Sequence, residues 1–211
     1  MMDTNIFQVV PNKLRPEAGE ILIASPLLAD YHFTRAVILL VTHDDSGSMG
    51  IVVNRDYRKR VYLHDLFPEL KDFPHIPVFS GGPVDRNVLF FIHNLDFIPD
   101  KFPLGNGLFL NGDFESVKKY IREGNVLEGR IRFFCGYAGW GAGQLEREIK
   151  EASWMVGKAD YDQLMVGDFT DLWHDALSDI GDKERIWANY PLYPSYNLGL
   201  GLIFCMSTTS V

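Results

Sequence analysis

Short apolar runs in the first half of the chain indicate β-strands, because they are rich in β-branched and aromatic side chains and are bounded by turn residues. These runs lie at residues 21–24, 36–42, 49–54, 78–79, 88–93 and 105–110. A loop of Asp, Ser and Gly separates the second run from the third, which is typical of a β-hairpin. The glycine pair in Ser80-Gly81-Gly82-Pro83-Val84 predicts a turn between the fourth and fifth runs.

Helical spacing becomes more common in the second half. Asp113 is the expected N-cap of a helix that runs through Arg122 and ends at Gly124. Another helix is expected from Gln144 onward. A short strand at 154–156 and two final helices at 171–177 and 184–188 complete the pattern. Because strands and helices do not alternate strictly, we predict an α+β fold with mixed sheets, formed as one domain over residues 1–211.

A glycine-rich stretch at residues 136–143 follows an apolar run at 130–135. The strand is expected to stop near Gly136, so that the segment forms a strand, a glycine-rich turn and the helix from Gln144. In one interpretation, the turn and the free N–H groups of the helix start bind an anion. In the other, the glycines only let the backbone pass under the ring of Trp140 in a structural corner. The spacing matches no nucleotide-binding motif.

The composition narrows the classes of partner. The 211-residue chain is 46% hydrophobic and carries a net charge of −8, with 20 basic and 28 acidic residues. This balance argues against direct binding of nucleic acid, because phosphate contacts need clustered Lys and Arg. Only two cysteines occur, so no disulfide framework is indicated. The sequence has neither a signal-peptide pattern nor an apolar run long enough to cross a bilayer, and we expect a cytoplasmic protein without a membrane partner.

Few polar residues form a pattern that indicates catalysis. Asp30 and Arg35 are spaced to form a structural ion pair across a turn. His43 and His93 lie near strand ends, where each acts either as an acid or base or as a hydrogen-bonding partner of a turn carbonyl. Their separation gives no metal-ligand spacing, and neither a metal nor a cofactor is predicted. Cys135 is expected to pack in the core, and no catalytic residue can be assigned.

Four ordered blocks resemble the YqgE/AlgH family. They are residues 19–26 with Asp30, Phe33, Arg35 and Val37; residues 43–47 with Met49, Gly50, Asn54 and Arg55; residues 80–84 with His93; and residues 136–140 with 143–146. The resemblance covers about residues 17–197, and residues 198–211 form a C-terminal extension. It implies a compact fold with coiled mixed sheets and the helices concentrated in the second half. It also implies little chemistry, since the one role named for the family is regulation of alginate production in pseudomonads.

Two functional hypotheses follow. The first is a non-catalytic regulatory or interaction protein, whose partner is an unknown protein. The second is a binder of a small anionic ligand, or a hydrolase-like enzyme, with a cleft between the two glycine turns. The candidate ligand-binding residues are Gly81, Gly82, Gly136, Gly139, Trp140, Gly143, Gln144, Arg35, His43 and His93. Convergence of the two turns with either histidine would favour the second hypothesis.

Overall fold

A computed structural model describes residues 9, 12, 14–105, 107–166 and 169–190. Within these residues the strands are β1 (Ile21–Ala24), β2 (Val37–Asp44), β3 (Gly47–Val52), β4 (Val61–Tyr62), β5 (Pro77–Ser80), β6 (Val84–His93), β7 (Phe102–Gly105), β8 (Leu108–Leu110), β9 (Ile131–Gly141) and β10 (Trp154–Gly157). The helices are α1 (Leu63–Leu66), α2 (Phe114–Arg122), α3 (Gln144–Lys150), α4 (Tyr161–Met165), α5 (Leu172–Ile180) and α6 (Asp182–Ala188). A 3₁₀ turn at Pro68–Leu70 follows α1.

Strand β9 is the centre of the sheet. The strand order is β10-β1-β2-β3-β9-β6-β8-β7, and β4 with β5 adds a side branch through β5 and β9. Along one edge of β9, its first half pairs with β5 in parallel and its second half pairs with β3 in antiparallel. The other described pairings are antiparallel, so the sheet is mixed.

Two hydrophobic cores form around this sheet. The larger core contains β1, β2, β3 and β10 together with α3, α5 and α6, and its buried aromatic residues include Trp154 and Trp173. The smaller core packs α1 and α2 against β5, β6 and β9 around Phe91 and Phe133. Alternate residues of β9 enter opposite cores, because successive strand side chains point to opposite faces. This arrangement confirms an α+β fold whose helices lie mostly in the second half.

Elements with strong local signals form where the sequence predicts them. Strand β1 has the expected bounds, and the hairpin of β2 and β3 is confirmed. The Asp113 carboxylate accepts the backbone N–H of Ser116 at 2.9 Å and caps α2, as predicted. The single strand expected at 105–110 is a hairpin of β7 and β8, and α4 was not predicted.

The predicted end of the strand at Gly136 is wrong, since β9 continues to Gly141. The glycines there serve close packing between strands rather than a turn. A Cβ atom at Gly81 would lie 2.2 Å from the Gly136 carbonyl oxygen, and one at Gly136 would lie 2.5 Å from the Gly82 oxygen. Gly136 also has a φ of 80°, which residues with a Cβ rarely adopt. Only glycine therefore lets these two backbones approach so closely.

Candidate functional site

A basic groove runs beside the turn that joins β5 to β6. This basic groove is a surface depression of about 740 Å³. It is lined by Tyr31, His32, Val52, Arg55, Asp56, Tyr57, Arg58, Lys59, Val61, Ser80, Gly82, Pro83 and Arg86. Four of these side chains are permanently cationic, and Asp56 is the one carboxylate in this lining. In a chain with a net charge of −8, the groove has the opposite sign to the molecule as a whole.

The cations of the groove come from two segments of the chain. Arg55, Arg58 and Lys59 lie in the loop after β3, and Arg86 lies in the first part of β6. Arg55 is held in place, because its Nη2 donates to the Thr34 carbonyl oxygen at 2.6 Å. Burial lowers the pKa of its guanidinium, which still remains charged in proteins near neutral pH. Arg58, Lys59 and Arg86 are exposed.

An exposed aromatic side chain adds an apolar contact at the same place. Tyr31 is 71% exposed, and the guanidinium carbon of Arg58 lies 5.6 Å from the centroid of its ring. Tyrosine and arginine are both frequent among the residues that dominate binding energy at protein interfaces. The groove therefore combines positive charge with an exposed aromatic ring.

A second depression, here called the Arg132 cavity, is lined by residues of β5 and of the first part of β9. It has a volume of about 490 Å³ and is lined by Pro74, His75, Ile76, Pro77, Phe79, Leu127, Glu128, Gly129, Ile131, Arg132, Phe133, Met165, Val166 and Phe169. A third depression of about 510 Å³ shares lining residues with both. Sequence analysis missed the basic groove and the Arg132 cavity. The basic run from Arg55 to Arg60 in an acidic chain was the sequence signal for the groove. The single arginine in the apolar segment 131–135 was the signal for the cavity.

The candidate glycines Gly81 and Gly82 were predicted to line a cleft, but they lie in close contact with the backbone of β9. Gly81 and Gly82 are buried and pack against the backbone of Gly136 and Tyr137. The Gly81 N–H donates to the Cys135 carbonyl oxygen at 2.8 Å, so this donor is already satisfied. The two glycine segments converge, but in direct backbone contact. The predicted cleft between them is therefore wrong, and Gly82 contributes instead to the wall of the basic groove.

Trp140 is buried rather than open, with 7% of its surface exposed. Its Nε1 donates to the Glu148 carboxylate at 2.9 Å. Gly139 precedes it on β9 and pairs with Met49 of β3. Gly143 precedes α3 in the left-handed conformation, and the Gln144 side chain accepts the N–H of Gly141 at 3.0 Å. Gly81 contacts the middle of β9, whereas α3 begins after β9 has ended, so the α3 start and the Gly81 turn lie apart rather than around one predicted pocket.

His43 contacts polar groups of a neighbouring strand and helix. Its Nδ1 lies 2.8 Å from the Ser48 hydroxyl oxygen, and its Nε2 lies 3.6 Å from a Glu146 carboxylate oxygen. The predicted partner was a turn carbonyl, whereas the structure gives a hydroxyl and a carboxylate. Ser48 is only 8% exposed and lies within the β2–β3 pairing, so its hydroxyl is closed to a substrate. The arrangement links the hairpin to α3.

His93 is completely buried in the sheet. Its Nδ1 accepts the N–H of Leu95 at 3.2 Å, and its Nε2 lies 2.8 Å from the Asn111 carbonyl oxygen. A backbone N–H can only donate, so Nδ1 carries no proton and Nε2–H is the donor to Asn111. Burial lowers the pKa of this imidazole. His93 therefore stays neutral and joins two backbone segments, and it lies at the opposite end of β9 from the His43 hairpin.

The predicted ion pair between Asp30 and Arg35 does not form. Asp30 accepts the backbone N–H groups of His32 and Phe33 at 2.7 and 3.0 Å, as a turn residue commonly does. Arg35 instead donates to the Tyr190 carbonyl oxygen at 2.6 Å and lies over the Trp173 ring at 4.8 Å. Its side chain thus ties the segment after β1 to the C-terminal helices.

No helix in the described part of the chain is both long and apolar enough to span a membrane. No cluster of three or more His, Cys, Asp or Glu side chains among the described residues has the arrangement of a metal site. The C-terminal extension at 198–211 and Cys205 lie outside the described residues.

Known proteins similar to this chain match it over most of their own length and most of this chain. A family model described as DUF179, AlgH-like, matches residues 21–185. A UPF0301 protein of Bacteroides thetaiotaomicron is 41% identical over 93% of this chain and 99% of its own, and one of Bacteroides fragilis is 43% identical over the same shares.

Two solved structures share the fold. A Corynebacterium diphtheriae protein, DIP2367, has a TM-score of 0.71 at 21% identity, covering 90% of this chain and 100% of its own. The AlgH protein of Pseudomonas aeruginosa has a TM-score of 0.58 at 26% identity, covering 95% and 99%. With the family model and the relatives, these similarities show that the chain belongs to the AlgH-like family.

Proposed function

We propose that this protein is a non-catalytic regulatory or interaction protein, and that its basic groove receives an acidic segment of a partner protein. The observation that carries the proposal is the charge of the groove. Arg55, Arg58, Lys59 and Arg86 line one depression in an acidic chain, with Asp56 as the one opposing charge in that lining.

Local charge of this kind supports recognition of an acidic partner. At physiological salt, charges act over about 8 Å, so a partner segment lying in the groove experiences its cations more strongly than the distant acidic surface. Such complementarity raises the rate of association and disfavours partners of the wrong sign. The overall negative charge disfavours a long polyanion such as duplex DNA, which would extend beyond the groove.

The shape and composition of the groove favour a protein segment over a small anion. Its exposed cations come from two segments, with Arg58 and Lys59 in the loop after β3 and Arg86 in β6. Tyr31 offers a large exposed ring beside Arg58, which suits an aromatic or aliphatic side chain of a peptide.

The test is a titration with a fluorescein-labelled peptide of alternating Glu and Gly with a central Phe, followed by fluorescence anisotropy. A peptide with Gln in place of Glu is the uncharged control. We expect Arg58→Gln/Lys59→Gln to weaken binding of the acidic peptide about tenfold, which corresponds to about 1.4 kcal/mol. Lys119→Gln/Lys150→Gln removes two exposed cations outside the groove and should leave binding within about twofold of the original protein.

Equal weakening by the two double variants would contradict the proposal, since it would mean that only net charge matters. Lack of saturable binding at low salt would contradict it as well. Displacement of the peptide by inorganic phosphate at equal concentration would indicate a small-anion site instead.

A further inference from the structure

The guanidinium of Arg132 is buried, and no carboxylate among the residues that the structure describes forms an ion pair with it. Arg132 is 6% exposed and lies in β9 among apolar neighbours. Its hydrogen bonds within the described residues go to two carbonyl oxygens: Nη1 donates to Leu164 at 2.7 Å and Nη2 donates to Val53 at 3.0 Å. Carbonyl dipoles compensate a full charge only in part, so a buried cation with these partners alone is costly.

Aromatic rings surround the same group. The guanidinium carbon lies 3.3 Å from the ring centroid of Phe169, 4.5 Å from that of Phe79 and 5.0 Å from that of Phe134. Such rings attract a cation weakly through their electron-rich faces, and they also exclude water from it. Burial lowers the pKa of Arg132 to about 9, with Asp56 as a partly opposing negative charge. The side chain is therefore held rigidly and remains poorly solvated.

Part of its donor capacity is unused. A guanidinium has five N–H donors, of which the two carbonyls occupy two. The Nε–H has no acceptor among the residues that the structure describes. Because Nε and a terminal nitrogen form one edge of the guanidinium, that edge has the geometry that binds a carboxylate through two parallel hydrogen bonds.

The Arg132 cavity provides space for such a ligand. Its volume of about 490 Å³ is within the usual range of roughly 300–1,000 Å³ for small-molecule sites. Apart from Arg132, the lining is mainly apolar, with Glu128 and His75 as its other ionisable groups. Both of these are exposed at the rim. One cation in an apolar site balances one negative charge, whereas a phosphate dianion would leave a charge uncompensated.

We propose that the Arg132 cavity is a binding site for a small organic monocarboxylate with an apolar body, whose carboxylate accepts hydrogen bonds from the unused N–H groups of Arg132. The apolar body then covers Phe79, Val166 and neighbouring side chains. This site is separate from the basic groove and does not depend on the partner proposed there.

Octanoate is a suitable probe, and octanamide is its uncharged analogue. Isothermal titration calorimetry with the full-length protein should show saturable binding of octanoate, and binding of octanamide should be at least about tenfold weaker. This comparison uses the unaltered protein, so a purely structural role of Arg132 cannot produce the difference.

Two variants locate the site. Val166 is 55% exposed and lines the cavity, so Val166→Trp should fill it and weaken octanoate binding at least about tenfold without disturbing the core. Val126 is 70% exposed and is not part of this lining, so Val126→Trp is the matched control and should bind as the original protein does. Arg132→Met should abolish the preference for octanoate over octanamide if it folds. Failure of octanoate to bind, equal affinity for octanamide, or unchanged binding by Val166→Trp would each overturn the proposal.

Discussion

Replacement of Trp140 tests the structural role of the glycine-rich end of β9. Trp140 is 7% exposed, and its ring meets that of Trp154 edge to face at 5.9 Å. The indole N–H groups of Trp140 and Trp154 donate to the same carboxylate oxygen of Glu148, at 2.9 and 2.8 Å. Trp140→Ala removes the ring, the aromatic contact and one of these hydrogen bonds together.

The magnitude follows from these contacts. Deletion of a large buried aromatic side chain costs about 3–5 kcal/mol, because apolar contact is lost and a cavity remains. Trp140→Phe keeps most of the ring volume and loses the hydrogen bond to the Glu148 carboxylate. Glu148 keeps Trp154 and Gln144 as donors, so the loss should be limited to about 1–2 kcal/mol.

Urea denaturation followed by circular dichroism measures both losses, with the slope of the transition checked for two-state behaviour. Tyr31→Ala is the control, because Tyr31 is 71% exposed and its removal should change the free energy of unfolding by less than about 0.5 kcal/mol. A loss below about 1 kcal/mol for Trp140→Ala, at an unchanged slope, would refute a buried Trp140 and restore its interpretation as a binding residue.

The remaining predictions concern pH, thiol chemistry, helix capping and nucleic acid. Because burial lowers the pKa of His93 below 6.5, the unfolded chain takes up the proton first as pH falls, so the free energy of unfolding should decrease below about pH 6.5. Denaturation of His93→Gln should show a shallower dependence on pH, and equal slopes would contradict the assignment. Cys135 is 5% exposed with its pKa raised by burial, and mass-spectrometric mapping should find it unmodified by a thiol reagent until the protein unfolds. Asp113→Ala should lower the free energy of unfolding by about 1 kcal/mol in a urea melt through loss of the α2 cap. Micromolar binding of mixed-sequence duplex DNA in a titration at about 0.15 M salt is not expected, and its detection would contradict the charge argument.

Elements whose bounds depend on residues close in the sequence could be predicted, and α2 is the clearest example. Its cap at Asp113 and its end before Gly124 depend on groups within a few residues, so the local pattern is sufficient. Strand β9 depends on distant groups. Whether Gly136 forms a turn or stays in a strand is decided by the backbone of Gly81 and Gly82, which packs against it from far along the chain. No local pattern carries that information.

The basic groove illustrates the same limit for sites. Its cations lie in the loop after β3 and in β6, and Tyr31 comes from the segment after β1. The charges of this loop are visible in the sequence, but their neighbours are fixed only by the sheet. Arg132 is similar, because an arginine in an apolar strand is conspicuous, whereas the rings of Phe79 and Phe169 around it come from elsewhere in the chain.

The glycines first considered as ligand donors have an indirect role in the groove. The Val52 N–H donates to the Gly81 carbonyl oxygen at 2.8 Å, and the Ser80 N–H donates to the Arg55 carbonyl oxygen at 2.9 Å. These two bonds join the end of β3 and the following loop to the turn that packs against β9. Because Gly81 packs directly against Gly136, the backbone that carries Arg55 is fixed in the absence of a bound partner. A fixed backbone reduces the conformational entropy that is lost on binding, so the close glycine packing would favour the binding proposed for the groove without contacting the proposed partner.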